Sequence, residues 1–365
     1  MKENPFKFGT VVDGVHFTDR EDELAEIGSY LKSENHLIVI SPRRFGKTSL
    51  IKKILGESGR KFIYLDIQIV ISEADFASQL LKRVYNIFPV QRIKGFIKSF
   101  RLIPSVIMNP VSGEIEISFN PRSRDLIPLE DVLNLIEKLG KPDEKIIVVF
   151  DEFQDIFRIN SGLDRMLRSV IQNHRNINYV FMGSSESMIR EIFEKKASPF
   201  YRFGTLFTLG KIPEEKFRLF LEYNFTGFVK EAGIISDAIL KITRSHPYYT
   251  QQLAFMVWEL LSRYGYSAEI VETAADEIVT SHDNDFELLW NTLNRTDMVV
   301  LTGMSSTDIS PLSAEFSNLF GTGAASTVFS ALQRLMKKGM IIKEVSSYFI
   351  DDPFLRRWIE YRRRG

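Results

Sequence analysis

The chain has 365 residues, 44% hydrophobic and 26% charged, a composition that excludes a disordered chain and suits two or three folded domains. Its 47 Lys and Arg balance 47 Asp and Glu, which argues against a general nucleic-acid binder and leaves room for a local basic patch. Cysteine is absent, which removes disulfides, thiol nucleophiles and Cys-based metal sites, and no apolar run has signal-peptide or membrane-spanning length; a soluble cytoplasmic protein without membrane contact is expected.

In chain order, "HLIVI" (His36 to Ile40) is a short apolar run of strand character, followed by a loop and then by the helical pattern "TSLIKKIL". "KFIYLDIQIV" reads as a second strand and "DFASQLLKRVYNIF" as an amphipathic helix. Between Ile103 and Pro121, prolines bracket the alternating "SGEIEISF", the pattern of a β-hairpin or inserted flap. "LEDVLNLIEKLG" returns to helix, stopped by Gly140 and Pro142. "KIIVVFDEFQDIF" is a strand ending in Asp151 and Glu152, and "NYVFMGSS" is a fourth strand. Strands alternating with helices imply a parallel α/β sheet with its ligand at the strands' C-terminal ends. After about Gly210 the patterns turn helical, so residues 211–282 read as an all-α lid. Residues 283–365 read as three helices and a β-ribbon, "MIIKEVSSYFID", the outline of a winged helix. The expected division is a core at 1–210 with a hairpin insertion near 103–121, the lid, and the winged-helix domain.

The loop after the first strand is "SPRRFGKTSL": Ser41, Pro42, Arg43, Arg44, Phe45, Gly46, Lys47, Thr48 and Ser49 lead into the helix. A polyphosphate needs inward-pointing backbone N–H groups and the positive end of a helix. Gly46 allows close approach, Lys47 brings an ammonium to the β- and γ-phosphates, and Thr48 offers a hydroxyl to Mg²⁺. Only Ser41 departs from the P-loop consensus glycine. A small side chain there should cost little unless the backbone requires a positive φ. The placement between strand and helix separates this loop from a chance Gly-Lys-Thr.

Asp151, at the end of a buried strand, can hold Mg²⁺, and its neighbour Glu152 can polarise the attacking water as general base. The bland alternative for the pair is a solvated acidic turn; Asp155 reads as helix surface or cap. Ser184 and Ser185, at the tip of the fourth strand, are candidates for orienting that water or touching the γ-phosphate; a plain turn is the alternative. The five histidines show no zinc-ligand spacing, so no zinc is expected.

"SPRRFGKTSL", "VVFDEFQD", "GSSESM", "SPFYR", "SHPYY" and "IDDPFLRRWIEYR" together resemble the archaeal-type ATPase family, P-loop proteins related to AAA+ and STAND ATPases. The similarity runs in order from Phe17 to the C-terminus. It implies an ATPase core, a helical lid and a C-terminal winged helix, with ATP and Mg²⁺ as cofactors. It makes Arg43 and Arg44 expected loop members and places Arg20 and Glu21 by the adenine. It assigns Asp151 and Glu152 to metal and water, Ser184 to the sensor strand, and Arg202 to the γ-phosphate of its own site or of a neighbouring subunit's. It sets His246 and Pro247 in the lid segment against the nucleotide. Two departures stand out. The family's Tyr-Gly-Arg is here Tyr201-Arg202, and its Gly-Gly before His-Pro is Arg244-Ser245; Arg244 reads either as a phosphate contact or as an exposed side chain.

In the winged helix, Gln333, Arg334, Lys337 and Lys338 lie on the candidate recognition helix, and Arg356, Arg357, Arg362, Arg363 and Arg364 on the tail. They form a local basic surplus suited to DNA phosphates, or the basic last turns of amphipathic packing helices. The leading reading is an ATP-hydrolysing, Mg²⁺-dependent switch that couples nucleotide state to lid and winged-helix position, with a protein partner or a second copy as possible regulators. The alternatives are a nucleotide-gated DNA-binding or regulatory module with little turnover, and a scaffold with a vestigial loop.

Overall fold

The computed structural model describes residues 3–12, 14–33, 35–109, 114–119, 128–344 and 346–363. The chain divides into two compact units, residues 20–210 and residues 1–19 with 211–365.

The unit 20–210 is built on strands β1 (Leu37–Ile40), β2 (Phe62–Asp66), β3 (Ser105–Met108), β4 (Ile115–Ser118), β5 (Ile146–Asp151), β6 (Ile177–Gly183) and β7 (Thr205–Thr208). Five of them form one sheet in the order β2-β5-β6-β1-β7, every pair parallel. β1, β5 and β6 are buried at every position, which is why they read as unbroken apolar runs rather than as alternation. The register sets Ile40 beside Gly183 and Phe150 beside Phe181, so the loops after β1, β5 and β6 emerge along one rim. β6 separates the strand of the phosphate loop from the strand of the acid pair.

β7 is absent from the sequence reading. It has four residues, only one of them buried, too little pattern to distinguish it from loop. β3 and β4 pair antiparallel as a separate ribbon, Ser105 opposite Ser118. Ile115 and Ile117 turn into the core while Glu116 and Ser118 face out. Pro110 and Pro121, which helped mark this hairpin in sequence, lie outside the described residues.

In the other unit the helices Glu214–Thr226, Ala232–Thr243, Pro247–Tyr264 and Ile270–Ser281 are followed by Asp283–Asn291, Arg295–Ser306, Ala314–Phe320 and Ala325–Lys337. The antiparallel ribbon of β8 (Ile341–Glu344) and β9 (Ser347–Ile350) and a last helix, Pro353–Arg362, complete it. The helices between residues 211 and 282 and the winged helix share one continuous core: Trp358 meets Phe286 and Trp290, and Phe354 meets Tyr249. The N-terminal segment packs here too. Phe6 is fully buried among Phe220, Phe225 and Trp258, and Asn4 Nδ2 donates to the Phe255 carbonyl at 3.2 Å and to Glu259 Oε1 at 3.0 Å.

Candidate nucleotide site

Ser41 is buried and keeps a negative φ; its N–H donates to the Gly183 carbonyl at 3.3 Å, fastening the start of the loop to the rim of β6. The left-handed residues of the loop are Arg44, at φ 66°, and Gly46, at φ 90°. Gly46 is the N-cap of the helix Lys47–Glu57, so the first-turn N–H groups, which have no intrahelical acceptor, open toward the loop. Phe45 is buried and anchors the loop, Pro42 and Ser49 are half-buried, and Arg43 and Arg44 are exposed.

Lys47 lies between the two acids. Its Nζ is 3.6 Å from Asp151 Oδ1 and donates to Glu152 Oε1 at 3.3 Å. Thr48 Oγ1 donates to Asp151 Oδ2 at 3.3 Å, and the Tyr64 hydroxyl donates to the same oxygen. The Glu152 N–H donates to Asp151 Oδ1 at 2.9 Å. Glu152 itself is left-handed at φ 50°, an unfavourable conformation for a residue with a Cβ. Its Oε2 accepts from Gln154 Nε2 at 2.6 Å, from Ser184 Oγ at 2.7 Å and from the Ser184 N–H at 3.0 Å.

Burial pushes the Glu152 carboxyl up, but the Lys47 charge and the Gln154 and Ser184 donors outweigh it and leave it below its ordinary value. The neighbouring acids move the other way. Burial raises Asp66, against the opposing Gln68 N–H and with help from Asp151 and Glu152, and burial raises Asp155 despite Arg158. Burial and Asp151 together raise Tyr64, which keeps it a donor. This rim thus gathers more carboxylates than Lys47 can neutralise. No group of three or more Asp, Glu, His or Cys side chains suited to a metal occurs among the described residues. The convergent oxygens of Thr48 and Asp151 nevertheless fit Mg²⁺, which takes one or two protein oxygens and completes its shell with phosphate and water.

Arg20, φ 90°, is only 4% exposed. Its guanidinium donates to Glu23 at 2.5 Å, to the Phe45 carbonyl at 3.3 Å and to the Gly210 carbonyl at 2.8 Å, bracing the phosphate loop from behind. Glu21 opens the helix Glu21–Lys32. Ser185 is the N-cap of the helix Glu186–Glu194 and makes no cap hydrogen bond. Arg202 is exposed, with its guanidinium over the Tyr201 ring, and makes no hydrogen bond to the Lys47–Asp151–Glu152 cluster among the described residues.

His246 and Pro247 belong to the other unit. They open the helix Pro247–Tyr264, with buried His246 3.5 Å from Asp351. Arg244 is engaged by Asp308 at 3.1 Å and lies over Phe349. Arg244 and Ser245 take φ of 50° and 58°, so in place of the family's Gly-Gly this chain puts side chains into glycine-like backbone; Arg202 is left-handed as well, at φ 54°.

The basic residues of the winged helix are largely paired. Arg334 bonds buried Asp297, Lys338 the Thr292 carbonyl, Arg356 Glu360, Arg357 Asp276 and Glu272, Arg362 Asp283, and Arg363 Glu287. Gln333 and Lys337 are exposed, and Arg364 lies outside the described residues. No helix among the described residues is long and apolar enough to cross a membrane. Tyr64 and Gln154 were missed in sequence. The faint signal for Gln154 was its place in "DEFQ", two residues past Glu152.

A family model described as an ATPase domain predominantly from Archaea matches residues 17–253, and one described as a probable winged helix domain matches residues 284–361. Among solved structures, a Walker-type ATPase of Pyrococcus abyssi is similar at TM-score 0.67 and 18% identity, over 94% of this chain and 96% of that one. The ORC2 protein of Aeropyrum pernix, in ADPNP–ADP complexes, is similar at 0.56 and 14%, over 97% and 96%. The ORC1 protein of Aeropyrum pernix, in complex with DNA, is similar at 0.50 and 15%, over 94% and 93%. At these identities the likeness is one of fold. No curated protein matches the chain.

Proposed function

This chain belongs to the family of ATPase domains found predominantly in Archaea, and on that premise we propose that its Lys47–Asp151–Glu152 cluster binds Mg²⁺·ATP and hydrolyses it as a molecular switch. One observation carries the reading: Lys47, Thr48, Asp151, Glu152 and Ser184 form one hydrogen-bonded group at the mouth of a glycine-containing loop. Backbone N–H groups from Arg43 to Ser49 and the Lys47 ammonium would hold the phosphates, and Thr48 and Asp151 would hold Mg²⁺, whose charge would neutralise the phosphoryl oxygens.

Glu152 accepts a proton from the attacking water as its oxygen bonds the γ-phosphorus. The β–γ bridging bond breaks, its electron pair leaves with ADP, and the proton passes on to inorganic phosphate. Lys47 meets both acids, so a bound phosphate would compete with them for its ammonium, and that competition would couple binding to the state of the base. We assign the coupling of this competition to lid and winged-helix position as the switch function.

The test is phosphate release and nucleotide binding. Glu152→Gln should bind ATP and fail to release phosphate, and Lys47→Ala should lose binding; wild-type turnover in both would sink the assignment. A nucleotide-gated DNA-binding module is the second reading, favoured by the winged helix. The pairing of its arginines with acids leaves few free charges for phosphate. Anisotropy with a 30-bp duplex between 50 and 200 mM salt separates the two, a steep salt dependence supporting DNA and a flat, weak signal opposing it.

A further inference from the structure

A carboxylate oxygen offers about two lone-pair directions. Glu152 Oε2 already faces three donors, at 2.6, 2.7 and 3.0 Å, whereas Oε1 meets Lys47 at 3.3 Å. One oxygen is fastened and the other is the face left for chemistry once Lys47 turns to phosphate.

The shortest of the three contacts comes from Gln154, a buried residue in the 3₁₀ turn Phe153–Asp155 that folds back because Glu152 is left-handed. Its amide is used at one end only. Gln154 Oε1 is buried with no hydrogen-bond partner among the described residues, whereas a glutamine held for structure alone satisfies both ends. Turning the amide over would bring two acceptors together at Glu152, so the carboxylate fixes its direction. Gly183 supplies the space: a Cβ there would lie 2.4 Å from Gln154 Oε1 and 2.4 Å from Ile189 Cγ1.

We propose that Gln154 is a positioning residue for hydrolysis, which with Ser184 locks Glu152 Oε2 so that Oε1 is presented to the attacking water. Its effect is exerted through Glu152, so the proposal rests on Glu152 being the base. Gln154 acts by preorganisation: the base is oriented before substrate arrives and does not reorganise during the reaction.

The experiment uses the full chain and follows Mg²⁺·ATP hydrolysis from pH 5.5 to 8.5 for wild type, Glu152→Gln, Gln154→Met and Gly183→Ala. Methionine keeps the length of the side chain and removes the donor; alanine at 183 pushes the amide from its other side and serves should Gln154→Met not fold. The expected result is a kcat loss of about tenfold, a fraction of the 10²–10⁴ of general-base catalysis, with KM unchanged within about twofold. The acidic limb of the kcat profile should also move to higher pH, because a lost donor weakens the hold on the Glu152 anion. A Gln154→Met enzyme with wild-type kcat and an unmoved limb, beside an inactive Glu152→Gln, overturns this proposal alone. A loss of kcat and KM together with a lower melting temperature and no shift of the limb makes Gln154 structural and overturns it as well. Wild-type turnover in Glu152→Gln overturns the assignment of the base, and this proposal with it.

Discussion

Replacing Lys47 by methionine keeps most of the side chain's stem and removes its charge, leaving Asp151 and Glu152 side by side without their cation. At 3.6 and 3.3 Å each attraction is about 5 kcal/mol gross at an effective dielectric constant of about 20. Much of that is cancelled in the wild type by taking Lys47 out of water. Removing one member of a buried pair typically costs about 3–5 kcal/mol. The lower end, about 3 kcal/mol, applies here, since Tyr64, Thr48, Gln154 and Ser184 still donate to the carboxylates. The pH dependence carries a sign. In wild type Glu152 lies below its ordinary 4.5, so its contribution is full above that pH and is lost as pH falls through the lowered value. Without Lys47, burial acts with less opposition, the carboxyl rises, and the variant regains ground by taking up a proton. Urea unfolding of nucleotide-free protein should therefore show a gap of about 3 kcal/mol at pH 7.5 that narrows toward pH 5. A variant as stable as wild type at pH 7.5, or a gap that widens on acidification, would refute the account of Lys47 as the counter-ion of this rim.

Tyr64→Phe should cost about 1.5–3 kcal/mol in the same assay, the worth of a hydrogen bond to a charged group, and the loss should shrink with Mg²⁺·ATP present as the metal takes over Asp151. Ser41→Gly, at a negative φ, should lower stability by about 0.5–1 kcal/mol through unfolded-state entropy while leaving the KM for ATP within about twofold. Ser245→Gly, at φ 58°, should do the reverse, adding about 1 kcal/mol and raising the melting temperature by about 2–4 °C in calorimetry.

The parts legible in sequence were those whose physics is local. β1, β5 and β6 are fully buried and announce themselves as apolar runs, and Gly46-Lys47-Thr48 between strand and helix is a contiguous pattern. The parts that were not legible depend on pairs distant in sequence or on backbone angles. Tyr64 meets Asp151 across 87 residues, because β2 and β5 are neighbours in the sheet. Gln154, in the turn after β5, depends on the empty face of Gly183, which lies at the end of β6. Arg244 and Ser245 look like losses of glycine in sequence, yet the backbone keeps a glycine-like φ at both. Arg20, expected by the adenine, has a guanidinium bound to the carbonyls of Phe45 and Gly210, which no residue type foretells. The basic tail read as a surplus because its acidic partners, such as Asp276 and Asp283, lie on earlier helices.

The discontinuity of the second unit also sets a timetable for synthesis. Phe6 is made more than 200 residues before the aromatic side chains that enclose it, from Phe220 to Trp258. At about 5–20 residues per second the nascent chain carries that apolar segment uncovered for roughly 10–50 s, while residues 20–210 emerge whole and can fold as a unit. The segment around Phe6 is thus made before residues 20–210 but finds its place only after them, and for that interval it is a natural handle for a chaperone.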